Sequence, residues 1–61
     1  LKAEKIYKRM LKVYEKKFDS MAPILREPLM ELSIIYKKMK NNIKSKKMAD
    51  RVYAILKHQR N

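Results

Sequence analysis

The chain has no cysteine, no glycine and no tryptophan, and it has a single histidine, His58. Without cysteine it forms no disulfide and no thiolate metal site, and one histidine is too few for a usual zinc site. Without glycine it cannot build the glycine-rich loops that cradle nucleotide phosphates. The six carboxylates are scattered and form no pair on an apolar helix face. These absences predict a protein that is not an enzyme and that holds no metal and no cofactor.

Long apolar runs are also missing, since no stretch approaches the roughly 18 uncharged apolar residues of a transmembrane helix. No segment has the pattern of a secretory signal peptide, which favours an intracellular location without identifying a compartment. The 61 residues suffice for one domain, 1–61. A chain of this length buries only about 60% of the surface that it exposes when unfolded, so we expect marginal stability.

Acidic residues are few compared with basic ones. Seventeen Lys and Arg residues against six Asp and Glu residues give a net charge of +11. Residues 1–18 carry seven basic and two acidic side chains, residues 19–36 carry one and three, and residues 37–61 carry nine and one. Self-repulsion of this size opposes a compact state, so an anionic partner is expected. The middle third is predicted to supply the core, between two cationic segments that supply contact surfaces.

The distribution of apolar residues predicts three helices. Glycine is absent, good helix formers predominate, and the two prolines are confined to positions 23 and 28. Apolar side chains recur with helical spacing over about 2–18 and again over 46–59, where Ser45 is the predicted N-cap. The predicted fold is all-α, a small three-helix bundle, and a self-associating bundle would produce the same pattern.

The middle helix contains Pro28, which removes a backbone donor and clashes with the preceding turn. Two outcomes fit the pattern: one kinked helix from residue 21, or a short turn at 21–26 followed by a helix from 28. In both cases the helix ends near Asn41 and Asn42, where asparagine can adopt the left-handed conformation. The residues predicted to form the core of the second and third helices are Leu32, Ile35, Val52 and Leu56.

The densest run of cations, KKMKNNIKSKK, extends from Lys37 to Lys47 and contains six lysines and no acid. Lys46 and Lys47 would lie in the first turn of the third helix, where the dipole disfavours cations and free backbone N–H groups bind phosphate. This combination predicts a nucleic-acid-binding surface that consists of Lys37, Lys38, Lys40, Lys44, Ser45, Lys46, Lys47 and Arg51. A second basic face is predicted on the first helix and consists of Lys5, Lys8, Arg9, Lys12 and Lys16.

The character of these cations favours one class of partner. Lysine outnumbers arginine, which favours charge-based contact with the phosphates of DNA or RNA over bidentate recognition of bases. The sequence therefore predicts a module that binds nucleic acid mainly through phosphate contacts. A membrane-active cationic helix is less favoured, because tryptophan is absent and the middle helix has the apolar residues of a proper core.

One apolar pair does not fit the predicted core. Met30 and Ile34 lie four residues apart, stacked on the helix face opposite to Leu32 and the other core residues. Either a kink or a loop covers them, or they form an exposed apolar spot with a cationic rim. In the second case the protein would be an interaction domain that docks an acidic amphipathic segment of another protein, or a second copy in a homodimer.

Overall fold

The computed structural model describes residues 2–59, and its regular structure in this range is helical. The helices are α1 (Lys2–Lys17), α2 (Arg26–Lys38) and α3 (Asn42–Gln59), and a single 3₁₀ turn, Pro23–Leu25, precedes α2. The predicted all-α three-helix bundle is confirmed. The Cα atoms span 34 × 21 × 13 Å. The short dimension corresponds to two helix layers, because packed helices lie about 8–10 Å apart.

The prolines lie where a helix tolerates them. Pro23 opens the 3₁₀ turn, and Pro28 is in the first turn of α2, whose N–H groups lack helical acceptors in any case. Leu25 and Arg26 have helical dihedral angles, so the 3₁₀ turn continues into α2. The structure is closer to the second predicted outcome, a short turn and then a helix, but α2 begins two residues before Pro28.

The end of α2 differs from the predicted one. The helix ends at Lys38, and the residue with left-handed backbone is Lys40 (φ 61°), rather than Asn41 or Asn42. The Asn41 N–H donates to the carbonyl of Tyr36 at 2.8 Å, and this bond closes the C-terminal cap. A lysine in the left-handed conformation raises the conformational energy by about 1–2 kcal/mol. The chain has no glycine to place at this sharp reversal, so a lysine occupies it.

The start of α3 also differs, because α3 begins at Asn42, four residues earlier than predicted. The side-chain Oδ1 of Asn41 accepts a hydrogen bond from the Lys44 N–H at 3.2 Å. Asn41 is therefore the N-cap of α3. The assignment of Ser45 as the N-cap is wrong, and this residue lies inside the helix.

Ser45 instead joins α3 to α2. Its Oγ donates to the carbonyl of Ser33 at 2.9 Å, the Oγ of Ser33 donates to the carbonyl of Ser45 at 3.1 Å, and the two hydroxyls lie 3.3 Å apart. Two small side chains let the helices approach closely, and the reciprocal bonds fix their rotation. Met48, Val52 and Ile55 follow Ser45 at helical spacing and consequently face the core.

The core draws on every helix and on the 3₁₀ turn. Its buried residues are Leu11, Leu25, Leu29, Leu32, Tyr36 and Ile55. Leu32 is buried as predicted, while Ile35 and Val52 are half-buried. The prediction is wrong for Leu56, which is 40% exposed, since Ile55 takes the central position on α3. α2 packs against both other helices, so it is the element that positions α1 relative to α3.

Candidate nucleic-acid interface

A groove of about 430 Å³ lies between α1 and α3, with α2 beneath it. We call it the α1–α3 groove. Its apolar lining consists of Leu11, Leu32, Tyr36 and Met48, and its polar lining consists of Lys8, Arg9, Lys12 and Glu15. The groove exists because α1 and α3 both pack on α2 and approach each other only through side chains. The basic side of α1 therefore forms one wall.

A cation from α3 contacts the floor of the groove. The Nζ atom of Lys44 lies 5.5 Å from the centre of the Tyr36 ring, which is a cation–π contact. Burial raises the pKa of the Tyr36 hydroxyl, and the Glu4 carboxylate raises it further. The ring is consequently neutral at physiological pH and presents its face to the lysine. Lys44, one turn before Met48 on α3, thus lies beside the groove that Lys8 and Lys12 line, although it was predicted to belong to a separate surface.

One ion pair connects Glu15, which lines the groove, to Arg51 on α3. The carboxylate Oε2 of Glu15 lies 2.7 Å from the Arg51 guanidinium, and this is the one ion pair within residues 2–59. The side chains are 37% and 35% exposed, so the contact contributes no more than about 1 kcal/mol. Its electrostatic effect is local, because it neutralises the one carboxylate among the residues that line the groove. Arg51, a predicted nucleic-acid-binding residue, thus already has a carboxylate partner and is less available to a phosphate.

The structure changes the basis of the predicted phosphate site on α3. Since α3 begins at Asn42, Lys46 and Lys47 lie in its second turn, and Lys44 is the cation of the first turn. The hydroxyl of Ser45 is engaged with α2, so it is not available to a phosphate. Lys46 and Lys47 are exposed. Their place in an interface therefore depends on charge and exposure, and not on a helix N-terminus.

The other predicted cations are all exposed. Lys5 and Lys16 extend the basic wall of α1 in both directions from the groove. Lys37 and Lys38 occupy the last turn of α2, where cations complement the negative end of the helix dipole. Lys40 follows in the turn between α2 and α3. The predicted cations of α1 thus form one wall of the groove, and the predicted cations at 37–40 lie around the α2–α3 turn.

The pair Met30 and Ile34 is exposed by 51% and 48%, so of the two alternatives the structure has the exposed apolar spot, and neither a kink nor a loop of the described chain covers the pair. Together with Ser33, Ala49 and Val52, the pair lines an open groove of about 270 Å³ between α2 and α3. A docking function for this spot stays a prediction.

Replacement of both residues by serine, Met30→Ser with Ile34→Ser, is expected to leave the protein folded. Each side chain has lost only about half of its contact with water, so the loss in unfolding free energy should be about 1 kcal/mol per residue. Thermal melts followed by circular dichroism measure this loss, and sedimentation measures the oligomeric state. A destabilisation of several kcal/mol would contradict the observed exposure, and an unchanged oligomeric state would exclude this spot as a homodimer contact.

The chemistry that the groove offers is fixed positive charge around an apolar floor. Residues 2–59 contain no group of three His, Cys, Asp or Glu side chains placed to hold a metal ion. Within the same residues, no helix combines the length and the apolar character of a membrane span. Comparisons with known protein families, with curated proteins and with solved structures found no match to this chain.

Proposed function

We propose that this protein binds nucleic acid through phosphate contacts and that the α1–α3 groove is the centre of the interface. The observation that carries the proposal is the arrangement of cations around the groove. Lys8 and Lys12 line it on α1, and Lys44 of α3 contacts the ring of Tyr36 in its floor, while its one lining carboxylate, Glu15, is paired with Arg51. An anion in the groove would therefore meet several cations, and the one acid of the lining is already paired.

The remaining cations make the surface long enough for a polymer. Lys5 and Lys16 lie on α1 on either side of the lining cations, and further exposed lysines lie at 37–47 around the α2–α3 turn. A chain of phosphates fits such a distribution better than a single small anion does, because its charges are repeated along its length. Since lysine ammonium groups are flexible point charges, the expected binding has little sequence preference.

The net charge supports the same partner. Among residues 2–59, Arg51 is the one Lys or Arg with a carboxylate within ion-pair distance. The repulsion that comes with a net charge of +11 is therefore scarcely relieved by contacts inside the fold. A polyanion that binds the folded chain relieves this repulsion and stabilises the bundle. Binding should consequently raise the melting temperature.

The direct test is the affinity of the full chain for a short duplex DNA and for the corresponding duplex RNA, measured by fluorescence anisotropy across a salt series. We expect dissociation constants in the micromolar range at low salt. The logarithm of the binding constant should fall with the logarithm of the salt concentration with a slope of about −3 or steeper, since each neutralised phosphate contributes about −0.9. An absence of binding at low salt, or an affinity that salt does not change, would overturn the proposal.

A further inference from the structure

We infer that α1 carries a second interaction surface, which adjoins the α1–α3 groove at Arg9 and docks one amphipathic helix of an acidic partner protein. The surface is an apolar seam made of Ile6, Met10 and Val13. Ile6 is 60% exposed and Val13 is 43% exposed, with the half-buried Met10 between them. The three residues line an open groove of about 580 Å³. None of them belongs to the buried core.

The spacing of the seam selects a helix as its occupant. The intervals of four and three residues are those of the d, a and d positions of a heptad, which pack against one facing helix. A helix that lies in a lipid interface instead exposes a broad apolar arc of about 100° or more. α1 has no such arc free, because Tyr7, Leu11 and Tyr14 pack against the core.

The charges beside the seam select an acidic partner. With Ile6 at d and Met10 at a, the g positions of α1 are Lys2, Arg9 and Lys16, which are all cations and all exposed. The g positions of a coiled coil pair with charged residues of the facing helix and set the choice of partner. Lys2 and Arg9 indeed line the same groove as the seam. A partner helix that carries Glu or Asp at the facing positions is therefore favoured.

The same frame argues against a second copy of this chain. In an antiparallel pair the g positions face each other, so Arg9 and Lys16 would meet cations. In a parallel pair they face the e positions, which in α1 are Tyr7 and Tyr14. Arg9 and Lys16 would then meet tyrosines, which carry no negative charge to pair with them. Neither orientation places acidic residues opposite the cations at the g positions of α1.

The test uses the full chain and a synthetic helical peptide with Leu at a and d and Glu at e and g. Two control peptides have Lys in place of Glu, or the same composition in scrambled order. Isothermal titration calorimetry should show micromolar binding of the acidic peptide and at least tenfold weaker binding of both controls. Equal binding of the scrambled peptide would overturn the inference, because it would reduce the contact to unspecific charge attraction.

Two variants locate the contact on α1. Ile6→Ser with Val13→Ser removes exposed side chains, so the melting temperature should change little while peptide affinity falls at least tenfold. Arg9→Glu with Lys16→Glu should reverse the preference, so that the Lys peptide binds better than the Glu peptide. Unchanged peptide affinity in the first variant, or no reversal in the second, would overturn the inference.

Two further measurements separate other occupants of the seam. Vesicles that contain phosphatidylserine should bind the wild type and the Ile6→Ser, Val13→Ser variant equally, and sedimentation should show no self-association that this variant abolishes. A loss of vesicle binding, or of self-association, in the variant would contradict the acidic helix as occupant. The inference does not depend on nucleic-acid binding, since its apolar variant leaves every cation of the α1–α3 groove in place.

Discussion

Replacement of Leu32 by alanine is expected to lower the free energy of unfolding by about 2–5 kcal/mol, the range for truncating a buried leucine. Leu32 is 1% exposed and belongs to the core that joins all three helices. Small domains have only about 5–15 kcal/mol of stability, and this short, strongly charged chain should lie at the low end. Urea denaturation followed by circular dichroism should therefore show a population that is partly unfolded even without denaturant.

A matched control lies two residues further along α2. Ile34→Ala removes the same number of carbon atoms, but Ile34 is 48% exposed. We expect this variant to lose about 1 kcal/mol or less, since half of the side chain already contacts water. If both alanine variants lost the same free energy, the assignment of opposite α2 faces to core and solvent would be wrong.

Reversal of one charge that lines the α1–α3 groove and of one beside it, Lys12→Glu with Lys44→Glu, is expected to weaken duplex binding by at least about tenfold. Each substitution removes a phosphate contact and places a carboxylate where the phosphate would lie. Folding should not suffer, because a glutamate at position 12 is four residues from Lys8 and from Lys16. A glutamate at position 44 lies in the first turn of α3, where the dipole favours an acid. Fluorescence anisotropy and a thermal melt measure both expectations.

The control for net charge is Lys17→Glu with Lys57→Glu. It also changes one lysine on α1 and one on α3, but Lys17 does not line the groove, and the Nζ atom of Lys57 lies over Tyr53 and not over the groove residue Tyr36. Both positions lie in last turns, where an acid is slightly unfavourable, so the control variant should be no more stable than the groove variant. Equal loss of affinity in the two variants would mean that binding follows the total charge and not the groove.

The three helices follow from the sequence because their apolar spacing is regular and proline is confined to one region. The start of α3 does not follow from the sequence, because Asn41 and Ser45 are both good N-cap residues and local chemistry does not choose between them. The choice depends on Ser33, whose reciprocal bonds with Ser45 are possible only once α2 and α3 are side by side. The same contact sets the rotation of α3.

The rotation of α3 explains why Leu56 is misassigned. Apolar residues cover a broad arc of this helix, so their spacing does not decide whether Ile55 or Leu56 is central. The polar Ser45 belongs to the buried side, which a purely apolar criterion would not select. A small polar residue in phase with Met48 and Ile55 is the signal that could have located the interface.

The candidate site, like the fold, could be predicted only in part from the sequence. Exposed lysines can be predicted from the sequence, because an unpaired charge is rarely buried. That Lys44 lies beside the groove that Lys8 and Lys12 line could not be predicted, since it requires α2 to hold α1 and α3 apart. Glu15 is likewise unremarkable in the sequence, and its pairing with Arg51 appears only when residues 36 positions apart meet.

The measurement that bears most directly on the α1–α3 groove is the slope of log binding constant against log salt concentration for the wild type and the two charge-reversal variants on one duplex. Loss of two phosphate contacts should make the slope of the Lys12→Glu, Lys44→Glu variant shallower by about 2, at about 0.9 per phosphate. The Lys17→Glu, Lys57→Glu variant should keep the wild-type slope. If all three proteins gave the same slope, the groove would not contact phosphate, and the proposed interface would be wrong.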